Sequence, residues 1–493
     1  MNRLGSIALT LAVAFVASAH IGSPNVVFDG AAGAYPVRVI VRPPEVVPGL
    51  AEVIVRVDAG DAQHVLIRPV FWRVGVSGAP AGDEMHRVAG QDRVYTGQLW
   101  LMAYGSYSVY VTVSGARGSG TAIVPVASFA TGRLPLSPAL GAILIVLGGV
   151  LVGGLLTIVR AAAGESLVPP GEPFDEAKRR RANLVTAIAA PLLALAIFGG
   201  AKWWRAEDTG YRRTMYGSPA ADPTLSVDAT HRTLRLAVHD TAQFHAIYSP
   251  VTPDHGKMMH LFLVRLPGMD AFAHVHPVQS DSLVFSDEVP AVPSGRYRLF
   301  GDLTLENGLS LTVTNTADIP DANGVVTPSD SDDAWTVVPS ATRIAPGVTR
   351  PLADGFTMSW NGASAPLGAR RATDLRFVVR DANGAVAPLR PYLGMAAHAV
   401  VVRDDGSVFI HLHPMGTVAM VAQQVFAIRD RGDTTSGGRL RADALGSGAM
   451  PAMSMSGELT FPYEFPKPGR YRIWIQVKPS RRVLTGTFDV DVR

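Results

Sequence analysis

The chain has 493 residues, enough for three domains of ordinary size, and its hydrophobic content of 47% is high for a wholly soluble protein. A formal net charge of +3, with no element interleaving basic and aromatic residues, excludes nucleic acid as a partner. The absence of cysteine excludes disulfides, thiolate metal sites and cysteine nucleophiles, so any metal must be held by imidazole, thioether or carboxylate.

The first element, "MNRLGSIALTLAVAFVASA" (residues 1–19), has the basic start, apolar stretch and small-residue Ala17-Ser18-Ala19 end of a signal peptide. Cleavage there would leave His20 at the N-terminus, where an α-amine and an imidazole on one residue can chelate copper(II). Residues 20–132 alternate apolar and polar positions between turn signals, as in "YPVRVIVRPPEVVPGLAEVIVRV", which predicts a β-sandwich. Two apolar stretches follow, 136–159 and 183–204, each about long enough to span a bilayer as a helix. The intervening segment, 160–182, carries "KRRR" at 178–181 and is expected on the cytoplasmic side. Residues 20–135 and everything after about 205 are then expected on the exocytoplasmic face, with Trp203 and Trp204 at the interface.

The remaining chain reads as two more β-sandwiches, 224–322 and 335–493, with "DANGVVTPSDSDD" as their linker and "RDRGDTTSGGRLRADALGSG" as a loop. In the second, "HAVVVRDDGSVFIHLHP" predicts a hairpin turning at Asp405-Gly406. With a two-residue turn, Asp404 pairs with Ser407, Val402 with Phe409 and His398 with His413, so His398, His411 and His413 share one face. The first carries a similar hairpin, "MMHLFLVRLPGMDAFAHVHP", in which a three-residue turn sets His260 opposite His276 with His274 beside it. The closing strands also match, "VPSGRYRLFGDL" with "PKPGRYRIWIQV", so the two regions are repeats of one kind.

Three imidazoles on one ribbon face are close enough to hold one metal ion, although rings that cap the sheet through carbonyl hydrogen bonds offer a structural alternative. His255, Met258, Met395 and Met415 are further candidate ligands beside the hairpins, and Met450, Met453 and Met455 form a methionine-rich loop. Thioether with imidazole favours copper, with zinc the second choice. His64, His86, His231, His239 and His245 lack this spacing and read as ordinary surface or core histidines. There is no nucleophile elbow, P-loop, dinucleotide fingerprint or HExxH motif, so no enzyme class is indicated.

The paired His hairpins and Pro-x-Gly-x-Tyr closing strands resemble the CopC and YtkA-like group of bacterial copper-binding domains. That resemblance covers the two C-terminal regions and, loosely, the first through His20 and "RPPEVVPG". It implies CopC-like, Ig-like β-sandwiches tethered to the bacterial cytoplasmic membrane, mainly β with a two-helix transmembrane hairpin. It further implies a protein that buffers copper or delivers it to another envelope copper protein or transporter. A copper oxidase or oxygenase using His20, and a metal-free envelope scaffold, are the competing expectations.

Overall fold

The computed structural model describes residues 25–165, 171–172, 175–228, 231–239, 250–321, 330–338, 347–361, 366–435, 438–441, 445 and 455–493. Among these residues the chain is mainly β, with seven sheets and three helices. The expected signal peptide, His20, His245, Met450 and Met453 lie outside the described residues.

The chain up to Phe129 and from Tyr216 onward forms one unit, and Ala130–Met215 forms another. In the first, strands from Val26–Ala32 to Gly118–Ser128 make a five-stranded and a four-stranded sheet that share one core. The alternation in "VRVIVR" and "EVIVRV" sends Val37, Val39, Val53 and Val55 inward from one sheet, to meet Val65, Ile67, Val109 and Val111 from the other. This is the expected sandwich-like arrangement.

The second unit holds α1 (Pro138–Glu165) and α2 (Glu176–Thr214), both long and apolar enough to cross a membrane. α1 runs past the expected C-terminal end of its span and α2 past both ends of its own, and the Lys178–Arg181 stretch, expected in a loop, lies inside α2. Asp175 caps that helix by accepting the Lys178 backbone N–H at 2.7 Å, and Glu176 in the first turn complements the helix dipole. Tyr211 Oη donates to Gly132 O at 3.1 Å and Arg133 pairs with Asp208, so the residues before α1 meet the last turns of α2 and the helices run antiparallel.

Repeat 1 places its histidine hairpin inside a six-stranded sheet, and repeat 2 places its own at one edge of a four-stranded sheet. In repeat 1, His260–Arg265 pairs with Ala271–Val275 on one side and Gly295–Leu305 on the other, setting His260 across from Asp302. In repeat 2, Ala397–Arg403 pairs with Phe409–Leu412 and Gly469–Val477, setting His398 across from Gln476. Alternate residues (Leu261, Leu263, Ala273; Ala399, Val401, Leu412) fill each repeat's own core. The opposite faces are not solvated. Phe262, Phe272 and Phe300 of repeat 1 pack against Val400, Phe409 and Trp474 of repeat 2, in a separate apolar cluster between the repeats. Equivalent arginines of the "GRYR" motifs fasten this interface. Arg472 donates to Met269 O at 2.8 Å in the loop of the first hairpin, and Arg298 donates to Asp405 O at 3.0 Å in the loop of the second.

Several expectations are corrected. The Val402–Phe409 pairing is as expected, but Arg403 N–H donates to Val408 O (3.0 Å) and Gly406 N–H to Arg403 O (2.7 Å), making a four-residue loop over 404–407. Gly406 takes a left-handed φ of 68° there, which a side chain would disfavour. Ala334–Val337, assigned by sequence to the linker and the start of repeat 2, is an edge strand of repeat 1 beside Ala271–Val275. Repeat 2 also contains a helix, α3 (Met420–Asp430), whose apolar Val421, Val425 and Phe426 are buried.

Candidate metal centre

The register gathers the histidines as expected. His260, His274 and His276 form one group and His398, His411 and His413 another, each offering one ring nitrogen per residue within 4.8 Å of the others. All six rings are buried, the most open being His411 at 7% exposure. His260 Nδ1 lies 3.1 Å from His274 Nε2, and His398 Nδ1 lies 3.0 Å from His411 Nε2. Metal–nitrogen bonds of about 2.0–2.1 Å at a tetrahedral angle set ligand nitrogens ~3.3 Å apart, so these pairs stand near coordination spacing.

The outer nitrogens explain how the rings are aimed. His260 Nε2 faces Asp254 O at 3.4 Å and His398 Nε2 faces Tyr392 O at 3.1 Å, the same bond in both repeats. His276 Nδ1 faces Asp333 Oδ1 at 2.8 Å, and His413 Nδ1 faces Val418 O at 3.1 Å. The third pair is held across the interface: His274 Nδ1 by Gln476 Oε1 of repeat 2 at 2.8 Å, and His411 Nδ1 toward Asp302 Oδ2 of repeat 1 at 3.7 Å. Carbonyls and carboxylates only accept, so each ring that bonds one carries its proton on the outer nitrogen and leaves the inner nitrogen with a bare lone pair. Nε2 of His276 and of His413 finds no hydrogen-bond partner among the described residues.

Electrostatics keep those lone pairs free. Burial, and then the neighbouring imidazoles, hold His260, His274, His398 and His411 well below the ordinary imidazole pKa, and burial pushes His413 down to about 3. Neutral rings whose second nitrogen is hydrogen-bonded are the form in which histidine binds metal.

The two groups form one cluster. Ring centroids of His260 and His411 are 5.2 Å apart and those of His274 and His411 5.6 Å. His255 joins them, its ring 5.4 Å from His398 and 5.5 Å from His413. The described candidate methionines pack on neighbouring cores and turns. Met258 packs on the core of repeat 1, Met415 on the core of the N-terminal sandwich and Met455 on the core of repeat 2. Met395 is buried in the turn that pairs it with Tyr392. His64, His231 and His239 are surface residues paired with carboxylates.

Sequence reasoning missed the supporting residues. Asp330 and Asp333, in what read as a linker, form a third group with His276 that could hold a metal. Asp302 and Gln476 occupy matching positions in the aligned closing strands, a signal that was readable. Burial raises the Asp302 carboxyl to about 7. The 415–418 segment that presents Val418 O is itself pinned by the N-terminal strand, where Asp29 N–H donates to Met415 O (2.8 Å) and Thr417 N–H to Val27 O (2.9 Å). That strand's neighbours add Arg42, which grips the fully buried Glu464 of repeat 2 at 2.7 Å.

Residues 221–320 and 351–493 match the model of a family described as a domain of unknown function (DUF8832), and the matched segments contain both histidine groups. No curated protein matches the chain. Among solved structures, the alpha-2-macroglobulin of E. coli aligns at 10% identity and a TM-score of 0.19, over 94% of this chain and 23% of that one. SGBP-B of Bacteroides uniformis aligns at 8% identity and a TM-score of 0.16, over 92% of this chain and 98% of that one. Latent PorU of Porphyromonas gingivalis aligns at 8% identity and a TM-score of 0.14, over 91% of this chain and 32% of that one.

Proposed function

We propose that this chain is a membrane-anchored protein that binds copper, or zinc as second choice, in its two histidine triads, and buffers the metal or hands it on at the outer face of the bacterial cytoplasmic membrane. The observation that carries this reading is the direction of the rings. In both repeats the outer nitrogens face oxygen acceptors and the inner nitrogens converge, two of them buried without a partner among the described residues. Buried lone pairs aimed at one another are costly unless a cation lies between them.

Copper is favoured by ligand chemistry. With Met258, Met415 and Met455 packed in cores, the preference rests on imidazole alone, for which the divalent series places copper above zinc. Transfer would proceed by exchanging one imidazole at a time for a ligand of an envelope partner. The outward orientation rests on the signal-like N-terminus and the cationic stretch at the start of α2. CopC-like and YtkA-like sandwiches tethered in this way fit the same role, and no catalytic role is assigned.

The test is elemental analysis of the full chain, purified in detergent and loaded with copper or zinc. Two ions per chain are expected, falling to one in His411→Ala plus His413→Ala and to one in His274→Ala plus His276→Ala. A metal-free wild type, or unchanged stoichiometry in both pairs, would overturn the reading.

A further inference from the structure

The two triads are alike in their six rings and unlike in what stands beside them. The turns Asp254–Lys257 and Tyr392–Met395 are equivalent. Each is closed by a reciprocal pair of backbone bonds (2.9 and 2.9 Å; 2.8 and 3.0 Å), and each precedes its strand's histidine by the same interval. Each also has a left-handed second residue, His255 at φ 52° and Leu393 at φ 50°. Where repeat 2 has a leucine, repeat 1 has a seventh histidine.

That histidine turns toward the other repeat. Its ring is 5.4 Å from His398 and 5.5 Å from His413, but 6.3 Å from His260 of its own repeat. Rings within the triads are 4.6 to 5.3 Å apart, so His255 stands just outside that spacing from two of the three repeat-2 rings. Its side chain is 4% exposed, and Nε2 is buried 3.7 Å from Asp254 Oδ1, with no hydrogen-bond partner among the described residues. A buried imidazole with no hydrogen bond on Nε2, set against the rings of His398 and His413, points to a shared ligand.

We propose that His255 is the fourth imidazole of the repeat-2 site, which makes the two sites unequal: a closed four-nitrogen site at His398, His411 and His413, and an open three-nitrogen site at His260, His274 and His276. The inference rests on the metal reading above. Four-ligand sites hold metal structurally, whereas sites with three protein ligands keep a position for water or an incoming donor. The repeat-2 ion would therefore draw ligands from both repeats and fasten them together, because ligands from both sides tie its binding to their docking. The repeat-1 ion would be the exchangeable one.

The test uses the full chain in detergent, with cobalt(II) as the probe and a competing chelator to set free metal. In a background of His274→Ala plus His276→Ala, only the repeat-2 site remains, and His255→Leu is expected to weaken it at least tenfold. Leucine already stands at the equivalent left-handed position, so the variant is compatible with the turn. The reciprocal variant, Leu393→His in a background of His411→Ala plus His413→Ala, is expected to tighten the remaining repeat-1 site at least tenfold. A change of less than tenfold on His255→Leu overturns the proposal while leaving the metal reading intact. If His255→Leu does not fold, failure of Leu393→His to tighten its site overturns it instead. A parent chain that binds no cobalt refutes the metal reading itself.

Discussion

His260 and His411 belong to different repeats, yet their ring centroids lie 5.2 Å apart, within the 4.6–5.3 Å range found inside the repeat-1 triad. The proximity depends on the apolar faces that dock behind them, where Phe300 stacks on Phe409 at 4.2 Å and Phe272 on Trp474 at 4.6 Å. Metal binding and repeat docking should therefore rise and fall together.

Phe409→Ala tests that coupling. The ring is 1% exposed, and truncating a buried phenylalanine costs about 3–5 kcal/mol. Urea unfolding should register that loss, with weaker metal retention at both triads. Wild-type retention at both sites despite the lost stability would show that the sites do not need the interface.

The residues that hold the outer nitrogens should matter nearly as much as the ligands. Gln476→Leu together with Tyr392→Phe leaves the His274 Nδ1–H without either of its acceptors, at 2.8 and 3.1 Å, and is expected to weaken the repeat-1 site ~10–100-fold. Asp333→Asn should cost less than Asp333→Ala at His276, because an amide oxygen still accepts. Competition titration measures both, and equal affinity in the Gln476→Leu plus Tyr392→Phe chain and wild type would contradict the assigned ring orientation.

Acid should destabilise the metal-free chain. His413 is pushed down to about 3 by burial, and His260, His274, His398 and His411 are lowered too. Imidazoles in the unfolded chain titrate near ~6.5, so on acidification the unfolded state takes up protons first. The stability these rings contribute is then complete above about pH 6.5 and drains as pH falls from there toward about 3. It is opposed in the upper part of the window by the buried Asp302 carboxyl, raised to about 7, which takes up its proton first in the folded state. Thermal melts should show Tm falling through this window, less steeply in His411→Ala plus His413→Ala. A Tm that is flat from neutral pH to about 5 would contradict buried neutral rings.

The helical unit should be separable from the sites. Phe129 and Tyr216 bracket it, with ring centroids 4.9 Å apart, so a short Gly/Ser linker can replace residues 130–215. That chain, begun at residue 25, is expected in the soluble fraction with its metal stoichiometry unchanged. Continued sedimentation with membranes would show that α1 and α2 are not the anchor.

Much of the site was legible because it is local. Asp-Gly in the second hairpin and Pro-Gly-Met in the first place the turns, period-two alternation then sets the faces, and the histidines follow. The longer loop at 404–407 did not disturb the result, because its centre stays at Asp405-Gly406 and parity is preserved. What could not be read is long-range. Nothing in the alternation says that the outer hairpin faces are buried against each other, since a strand covered on both sides loses the apolar–polar signal that would reveal it. Asp333 looked like linker because polar, turn-rich composition describes both a tether and a hydrogen-bonded wall. The amphipathic α3 was overlooked beside the strand patterning that surrounds it.

The most direct test is X-ray absorption at the metal edge of the copper-loaded or zinc-loaded chain. The prediction is a first shell of three to four imidazole nitrogens at about 2.0 Å, with the outer-ring scattering of histidine and no sulfur. A sulfur shell at ~2.3 Å, or a shell of oxygen alone, would contradict the assignment of the metal to the histidine triads.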